Sequence, residues 1–401
     1  MRSHVLLSLA LLALTLGCRE DAKSPTAPDF PPAAAITASA LVFSQVSAGT
    51  HHSCGVTSDD RAYCWGRNSD GQLGDGTTTR RVVPVPVAGT LRFRQISAGF
   101  SSTCAVTTDY RAYCWGTNDI GQLGDGTTDR RLQPAAVAGG HQFREVQTTF
   151  QHACGVTYST KRGYCWGDNR NGQLGVGNNT GPETGYYGSY SSKPVAVIGG
   201  STFRRVSPGY NHSCGVTTDN RVFCWGYNRY GQVGDSSTGW KRFKPSQVAG
   251  TRQYRQVDAG RDFTCAVTTG NRAFCWGYGA TGVLGNGSTS PSRWPKPVSG
   301  GLSVERVTAG DFHTCAETTT NRTYCWGFNG NGSVGDGTST RRLTPVAVVG
   351  GLSFSQLSAG NHTCGRTPDG VAYCWGAGWE GELGTGTLGN STTPVPVSDP
   401  M

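Results

Sequence analysis

Apolar and polar residues alternate in short runs along almost the whole chain. Phe93-Arg-Gln-Ile-Ser97, Cys104-Ala-Val-Thr107, Ala112-Tyr-Cys-Trp115 and Pro84-Val-Pro-Val87 are typical. Period-two alternation bounded by Gly, Pro, Asn and Asp predicts strands. No stretch carries the three-to-four-residue spacing of an amphipathic helix. Thr108-Asp-Tyr-Arg111 supplies a polar hairpin turn between the two cysteine-bearing runs. After Trp115 comes a Gly-rich turn, Asn118-Asp-Ile-Gly-Gln-Leu-Gly124, and then a variable polar loop. The pattern predicts four short strands in each stretch of about fifty residues, a period that signals a repeat architecture.

The cysteines give the register of the repeat. Cys54 pairs with Cys64, Cys104 with Cys114, Cys154 with Cys165, Cys214 with Cys224, Cys265 with Cys275, Cys315 with Cys325 and Cys364 with Cys374. Each second cysteine is followed by Trp-Gly. Successive first cysteines lie 50, 50, 60, 51, 50 and 49 residues apart. If the hairpin turn centres near Asp109, Cys104 faces Cys114. Opposed residues in a non-hydrogen-bonded antiparallel pair have Cα atoms roughly 4.5 Å apart, within the span of about 4.4–6.8 Å that a disulfide bridges. A metal site needs about four converging ligands, and each unit offers two cysteines. The spacing therefore predicts seven local disulfides. Seven four-stranded units of this length predict an all-β fold, a seven-bladed propeller with one intrablade disulfide per blade, over residues 40–398.

The ends of the chain bear on closure and compartment. The chain stops on Pro394-Val-Pro-Val397 and the repeats begin at Val42-Phe-Ser-Gln-Val46. The simplest closure pairs the C-terminal strand with the first blade, so that both termini share one sheet and two open edges disappear. Residues 1–17 hold Arg2 and an apolar run from Val5 to Leu16, too short for a bilayer-spanning helix of about 20 residues and shaped like a secretory signal. Thr15-Leu16-Gly17-Cys18 resembles a bacterial lipoprotein cleavage box. Of fifteen cysteines, seven pairs leave Cys18 alone, and a leftover cysteine in an exported chain asks for a reason. Residues 18–39, with Pro25, Pro28, Pro31 and Pro32, read as a flexible tether. Export agrees with disulfides, which need an oxidising compartment. The expected location is extracytoplasmic, either membrane-anchored through lipid or secreted.

The Trp-Gly and Asn-x-x-Gly-Gln-Leu-Gly motifs resemble the regulator-of-chromosome-condensation repeat. The second motif stands intact at Asn68–Gly74, Asn118–Gly124 and Asn169–Gly175. Val replaces Leu at Asn228–Gly234 and Asn329–Gly335, and the motif is most altered at Gly279–Gly285 and Gly378–Gly384. The resemblance covers nearly all of the chain after the tether and implies a seven-bladed propeller. It implies no function, because function sits on loops grafted onto the fold.

Most of the chemically notable residues recur and therefore read as structural. His52, His152, His212, His313 and His362 share one slot two residues before a cysteine. Trp65, Trp115, Trp166, Trp225, Trp276, Trp326 and Trp375 share another and are expected to fill the contacts between blades. Three tryptophans do not recur: Trp240, Trp294 and Trp379. Repeat three carries ten extra residues within 178–193, with Tyr186, Tyr187 and Tyr190 among Gly and Ser. Tyr, Ser and Gly suit adaptable recognition loops, and aromatics and Arg dominate binding hot spots. The candidate binding residues are therefore Tyr186, Tyr187, Tyr190, Trp240, Arg242, Trp294 and Trp379.

The net charge is +9 and the basic residues are mostly Arg. Arg61, Arg111 and Arg221 stand beside Asp59, Asp109 and Asp219 in hairpin turns, while Arg80-Arg81, Arg130-Arg131 and Arg341-Arg342 lie in variable loops where they could form a basic face. Export and the lack of any helical or zinc signature argue against nucleic acid. No Gly-x-Ser-x-Gly, P-loop or His-Glu-x-x-His motif occurs, so no catalytic residue, metal ligand or cofactor is assigned. The sequence reads as a monomeric binding or scaffold protein with a protein partner. The alternative is a glycan or cell-wall module using the same aromatics. A propeller hydrolase, lyase or enzyme inhibitor is the remoter reading.

Overall fold

In blades one to six the run that opens with Phe, Tyr or Val forms the innermost strand, and a bulge sets which of its side chains face where; blade seven's inner strand is the shorter Gln356–Ala359. In the computed structural model, which describes residues 41–185 and 188–400, the first repeat forms β1 (Phe43–Ala48), β2 (His52–Thr57), β3 (Ala62–Gly66) and β4 (Arg81–Pro86), hydrogen-bonded in that order. The register of β1 on β2 slips between Phe43 and Gln45. One extra residue reverses the alternation. Phe43 and Val46 therefore both enter the core, while Gln45 and Ser47 turn toward the molecular axis. Six further sheets repeat the plan to give seven blades, and the described elements are all strands. The signal and tether expected over residues 1–39, with Cys18, lie outside the described residues.

The seven innermost strands stand around a central channel of about 330 Å³. Gln45 clasps the next blade by accepting from Ile96 N (2.9 Å) and donating to Ile96 O (3.0 Å). Gln95, Gln256 and Gln356 repeat this on Val146, Val307 and Val46. A hydroxyl two residues on takes the next N–H, as Ser47 does from Ala98 (2.9 Å). Blade four breaks the pattern because Pro208 has no N–H to give. There Gln147 instead accepts the Arg205 guanidinium, at 2.6 and 3.0 Å.

Each seam between blades is built on the recurring tryptophan. Trp115 is fully buried, and its Nε1–H donates to the Gln72 carbonyl of the preceding blade at 2.9 Å. Cys54, Val56 and Cys64 of the first blade pack around it. Gly74, at φ +70°, meets this indole so closely that a Cβ would lie 2.6 Å from Nε1. The second glycine of Gly-Gln-Leu-Gly thus serves both a left-handed turn and a backbone-to-ring approach.

Seven disulfides form within blades, each joining the second strand to the third. Cys54 is bonded to Cys64, Cys104 to Cys114, Cys154 to Cys165 and Cys214 to Cys224. Cys265 is bonded to Cys275, Cys315 to Cys325 and Cys364 to Cys374. Their Cα separations are 4.0–4.1 Å, a little under the opposed-pair spacing expected from the sequence. The extra residue between Cys154 and Cys165 is taken up in the turn, leaving the two cysteines directly opposed.

The C-terminal strand closes the ring on the first blade by a different route from the shared sheet expected. Ser391–Pro396 hydrogen-bonds to Ala372–Gly376 of its own blade, so every blade is contiguous in sequence. Its Val395 and Val397 pack against Phe43, Val46 and Trp65. Trp65 Nε1 donates to Glu382 O at 2.7 Å, and Leu41 N to the Asp399 carboxylate at 2.9 Å. Backbone bonds join the same seam, Gly386 N to Val82 O at 2.9 Å and Asn361 N to Gly49 O at 3.3 Å, so closure uses the contacts found between the other blades and needs no shared sheet.

The outer strands carry Pro at their centres, including Pro84, Pro134, Pro245, Pro295, Pro345 and Pro394, which blunts each exposed edge against further pairing. Blade three differs. Its extra residues form an added strand, Glu183–Gly185, on Gly188–Ala196, making a five-stranded sheet.

Candidate binding face

Two sets of turns emerge on one side of the ring: the short turns from first to second strand near the axis, and the long loops from third to fourth strand farther out. The long loops are held by their own polar residues. Asn68 Oδ1 accepts from Leu73 N at 3.0 Å, while its Nδ2 donates to the carbonyls of Thr77 (3.0 Å) and Thr79 (3.1 Å). Asp75 pairs with Arg81 at 3.0 Å, and three other loops repeat that pair with Asp125 and Arg131, Asp235 and Arg242, and Asp336 and Arg342. The preceding basic residue reaches back one blade. Arg130 donates to Ser69 O, Lys241 to Arg170 O and Arg341 to Ala280 O. The Arg doublets of these loops are therefore braces within and between blades, not a free basic face. Arg242 belongs to this set, engaged by Asp235 at 2.5 Å.

The short turns close the channel. Gly49, Gly99, Gly209, Gly260, Gly310 and Gly360 form a collar in which backbones nearly touch: a Cβ on Gly360 would collide with the Gly49 carbonyl. The residue after each collar position sits above it, and there the repeats differ: Thr50, Phe100, Tyr210, Arg261, Asp311 and Asn361, with Phe150 after Thr149 in blade three. These line a cup of about 500 Å³ together with His51, Asp262 and Phe312. Their rings run in an arc. His51 meets Phe100 edge-on at 5.1 Å, Phe100 meets Phe150 at 4.9 Å, and Phe150 stacks on Tyr210 at 4.9 Å. The Arg261 guanidinium lies 5.0 Å over Tyr210 and 4.8 Å over Phe312, which meets the exposed Phe328 at 6.3 Å.

The polar groups of the cup are partnered inside it. Thr50 Oγ1 donates to Asp311 at 3.1 Å and lies 3.4 Å from the Tyr210 hydroxyl. Burial raises the Asp311 carboxyl, and burial together with Asp311 raises the Tyr210 phenol. Asp262 is raised by burial and lies 3.9 Å from Arg261. His51 is lowered by burial and by Arg67. The arrangement offers a concave aromatic surface with one half-exposed guanidinium at its centre. Among the described residues no three His, Cys, Asp or Glu converge as metal ligands.

The sequence-predicted residues fall around this cup without meeting in one place. Trp240 (64% exposed, under Arg229 at 5.3 Å) and Trp379 (63% exposed) lie on long loops of blades four and seven. Trp294 is on the outer strand of blade five, with the Lys296 ammonium over its ring at 5.1 Å. Tyr190 is half-buried in the extra hairpin of blade three, opposite Asp168 and Glu183. Tyr186 and Tyr187 lie outside the described residues. Sequence reasoning missed the arc of Phe100, Phe150, Tyr210 and Phe312. Its signal is the variable dipeptide between Ala-Gly and the cysteine strand, in a repeat otherwise nearly constant.

Models of the regulator of chromosome condensation (RCC1) repeat match residues 43–72, 93–122, 203–232, 254–282 and 304–333 in one form. In a second form they match 59–106, 110–160, 162–216, 219–267 and 271–316. The human probable E3 ubiquitin-protein ligase HERC4 is 32% identical over 137 residues, covering 34% of this chain and 12% of the ligase. The Arabidopsis thaliana ultraviolet-B receptor UVR8 is 29% identical over 257 residues, covering 63% of this chain and 57% of the receptor. The chain thus spans less than two thirds of the length of either relative. Among solved structures, Prp20p from Saccharomyces cerevisiae, described with its binding properties to Gsp1p and histones, matches with a TM-score of 0.73 at 19% identity over 89% of this chain and 87% of that one. Human WBSCR16 matches with a TM-score of 0.70 at 21% identity over 80% and 85%. At those identities the likeness is one of fold. With repeat models matching more than half of its length, the chain belongs to the regulator of chromosome condensation repeat family.

Proposed function

We propose that the protein is a binding scaffold that engages a protein partner through the loop face, outside the cytosol. The observation that carries this is the aromatic arc around the cup, flanked on the same face by exposed Trp240 and Trp379. Large rings held by a rigid frame lose little entropy on binding, and ring-lined centres with Arg are where interface energy concentrates. Binding of Gsp1p and histones by the similarly folded Prp20p supports a protein partner in kind. The test is affinity capture by the purified propeller, followed by titration of the captured protein. Phe150→Ala with Phe312→Ala should weaken the titrated complex by about thirtyfold or more, the scale of a hot-spot loss. Unchanged affinity in that double variant and in Trp240→Ala would reject this face. Saturable binding of a neutral oligosaccharide, lost in the same variants, would instead establish the glycan reading.

The compartment rests on the seven disulfides and on the apolar run ahead of Cys18. On this reading Cys18 carries the lipid that holds the tether at a membrane. Cys18→Ser is expected to move the protein from the membrane pellet to the soluble fraction. An intact mass without added lipid at Cys18 in the unaltered protein would refute the anchor.

A further inference from the structure

The opposite face of the ring carries most of the chain's excess charge, and carries it unevenly. It is formed by the hairpins between second and third strands and by the connections into each innermost strand. Counting those hairpins, and the connections through the third residue of each inner strand, blades two to five present twelve basic residues against three acidic ones. Blades six, seven and one present three against five. Of the three acids in the basic part, Asp109 and Asp219 are taken by Arg111 and Arg221 in their own turns, and Glu145 points into the channel. Arg92, Arg94, Arg144, Arg162, Arg252 and Arg272 are exposed and have no carboxylate partner among the described residues. The same crescent holds an aromatic pair: Tyr110 and Tyr158, from neighbouring blades, stack at 3.9 Å with the Arg94 guanidinium 4.6 Å over Tyr110.

We infer that this crescent is a binding surface for an acidic polysaccharide bearing a carboxylate or sulfate on successive sugars. The cations recur at equivalent places from blade to blade, so they present a curved row rather than a pocket, which suits a linear polymer of repeating charge. Arg rather than Lys is the side chain whose planar fork matches carboxylate and sulfate oxygens two at a time. The paired tyrosines offer the apolar edge against which a sugar ring packs. Nucleic acid has the same charge, but a chain whose every blade is closed by a disulfide works where such polymers of sugar are found and cytosolic nucleic acids are not. This surface lies across the ring from the loop face, so its binding is tested apart from that of the loop face, while the choice of polysaccharide over nucleic acid rests on the proposed compartment.

The experiment titrates the full chain with polygalacturonate, with neutral dextran, with a DNA duplex and with anionic vesicles. Polygalacturonate should bind and dextran should not. Raising salt from about 50 to about 200 mM should weaken the complex by about tenfold or more, as release of counterions from a polyanion requires. Arg94→Gln with Arg144→Gln should weaken it by about tenfold, while Arg61→Gln with Arg322→Gln across the ring should leave it within about twofold. Failure of polygalacturonate to bind, equal or tighter binding of DNA, binding to vesicles alone, or equal loss in both double variants would each overturn the proposal.

Discussion

Reducing all seven disulfides should unfold the propeller under conditions where the oxidised protein is stable. Each bridge closes a loop of ten or eleven residues, which the chain-entropy model values at roughly 2.5–3 kcal/mol. Seven together come to about 20 kcal/mol, more than the whole net stability of about 5–15 kcal/mol typical of a folded domain. The bridges also fill space. Every disulfide sulfur belongs to a fully buried cysteine, and the pair packs beneath the tryptophan of the next blade. Loss of one bridge therefore loosens two blades, and in a ring each blade depends on its neighbours. The expected course has two parts. Without denaturant, the oxidised protein should resist reductant, because no sulfur is exposed. Once reduced in denaturant and returned to buffer, it should fail to recover its β-sheet circular dichroism. Replacing the pair Cys154 and Cys165 by Ala should alone cost about 2–4 kcal/mol in chemical denaturation. Full recovery of the unfolding midpoint after complete reduction would show that the sheets and tryptophans hold the ring unaided.

The staples were legible because two signals agreed. A Cys…Cys spacing of ten or eleven residues that flanks a polar turn has few folded solutions, and seven copies, from Cys54 with Cys64 to Cys364 with Cys374, removed the ambiguity of any one. The strands were legible for the same reason. What lay beyond reach was everything decided across a seam. Gln45, Gln95, Gln256 and Gln356 recur in plain view, yet only the ring geometry shows that each clasps the next blade's backbone. Closure reads as strand sharing in the sequence because a circular repeat can be cut at any strand. The observed cut falls before the Phe strand, so the last outer strand already has a partner in its own blade. Arg242 stands out beside a unique Trp, but its spacing from Asp235 matches the pairing of Asp with Arg in three other loops within one residue. The cup escaped because its members are far apart in sequence and meet only at the axis. A slot that changes while its surroundings stay fixed is the pattern to look for in a closed repeat.

Replacing His152 by Gln should remove one proton's worth of acid sensitivity from the fold. The five histidines of the recurring slot are buried at seams, and each bonds through Nε2 to a Ser or Thr of the next blade, at 2.6–2.9 Å. Ser213 gives its own proton to the Gln173 carbonyl (2.9 Å), so it must accept from His152 Nε2–H. The ring is then neutral with Nδ1 bare, and Nδ1 of His52, His152, His212 and His362 has no partner. Burial accordingly pushes these four down to about 3, and His313 to about 4. The unfolded chain takes up the proton near pH 6.5. Because the folded value is the lower one, the stability each ring contributes is complete above about pH 6.5. It drains away as pH falls, by about 1.4 kcal/mol per pH unit per proton. Five rings set a ceiling of about 7 kcal/mol per unit. Buried carboxylates act with the opposite sign. Burial raises Glu145, Asp258, Asp311 and Glu317, and Glu382 to about 7, so their contribution is full at low pH and lost as pH rises through the raised values. The wild-type curve mixes both, but the difference between wild type and His152→Gln cancels the carboxylates. A Gln amide also donates to Ser213 and does not titrate. The variant should be weaker by about 1 kcal/mol at neutral pH and should gain on the wild type below about pH 6.5, overtaking it a little below about pH 6 and leading clearly by about pH 4. A stability difference that stays constant from neutral pH to about 4 would mean that the imidazole titrates alike in the folded and unfolded chains, and the seam as drawn would then be wrong.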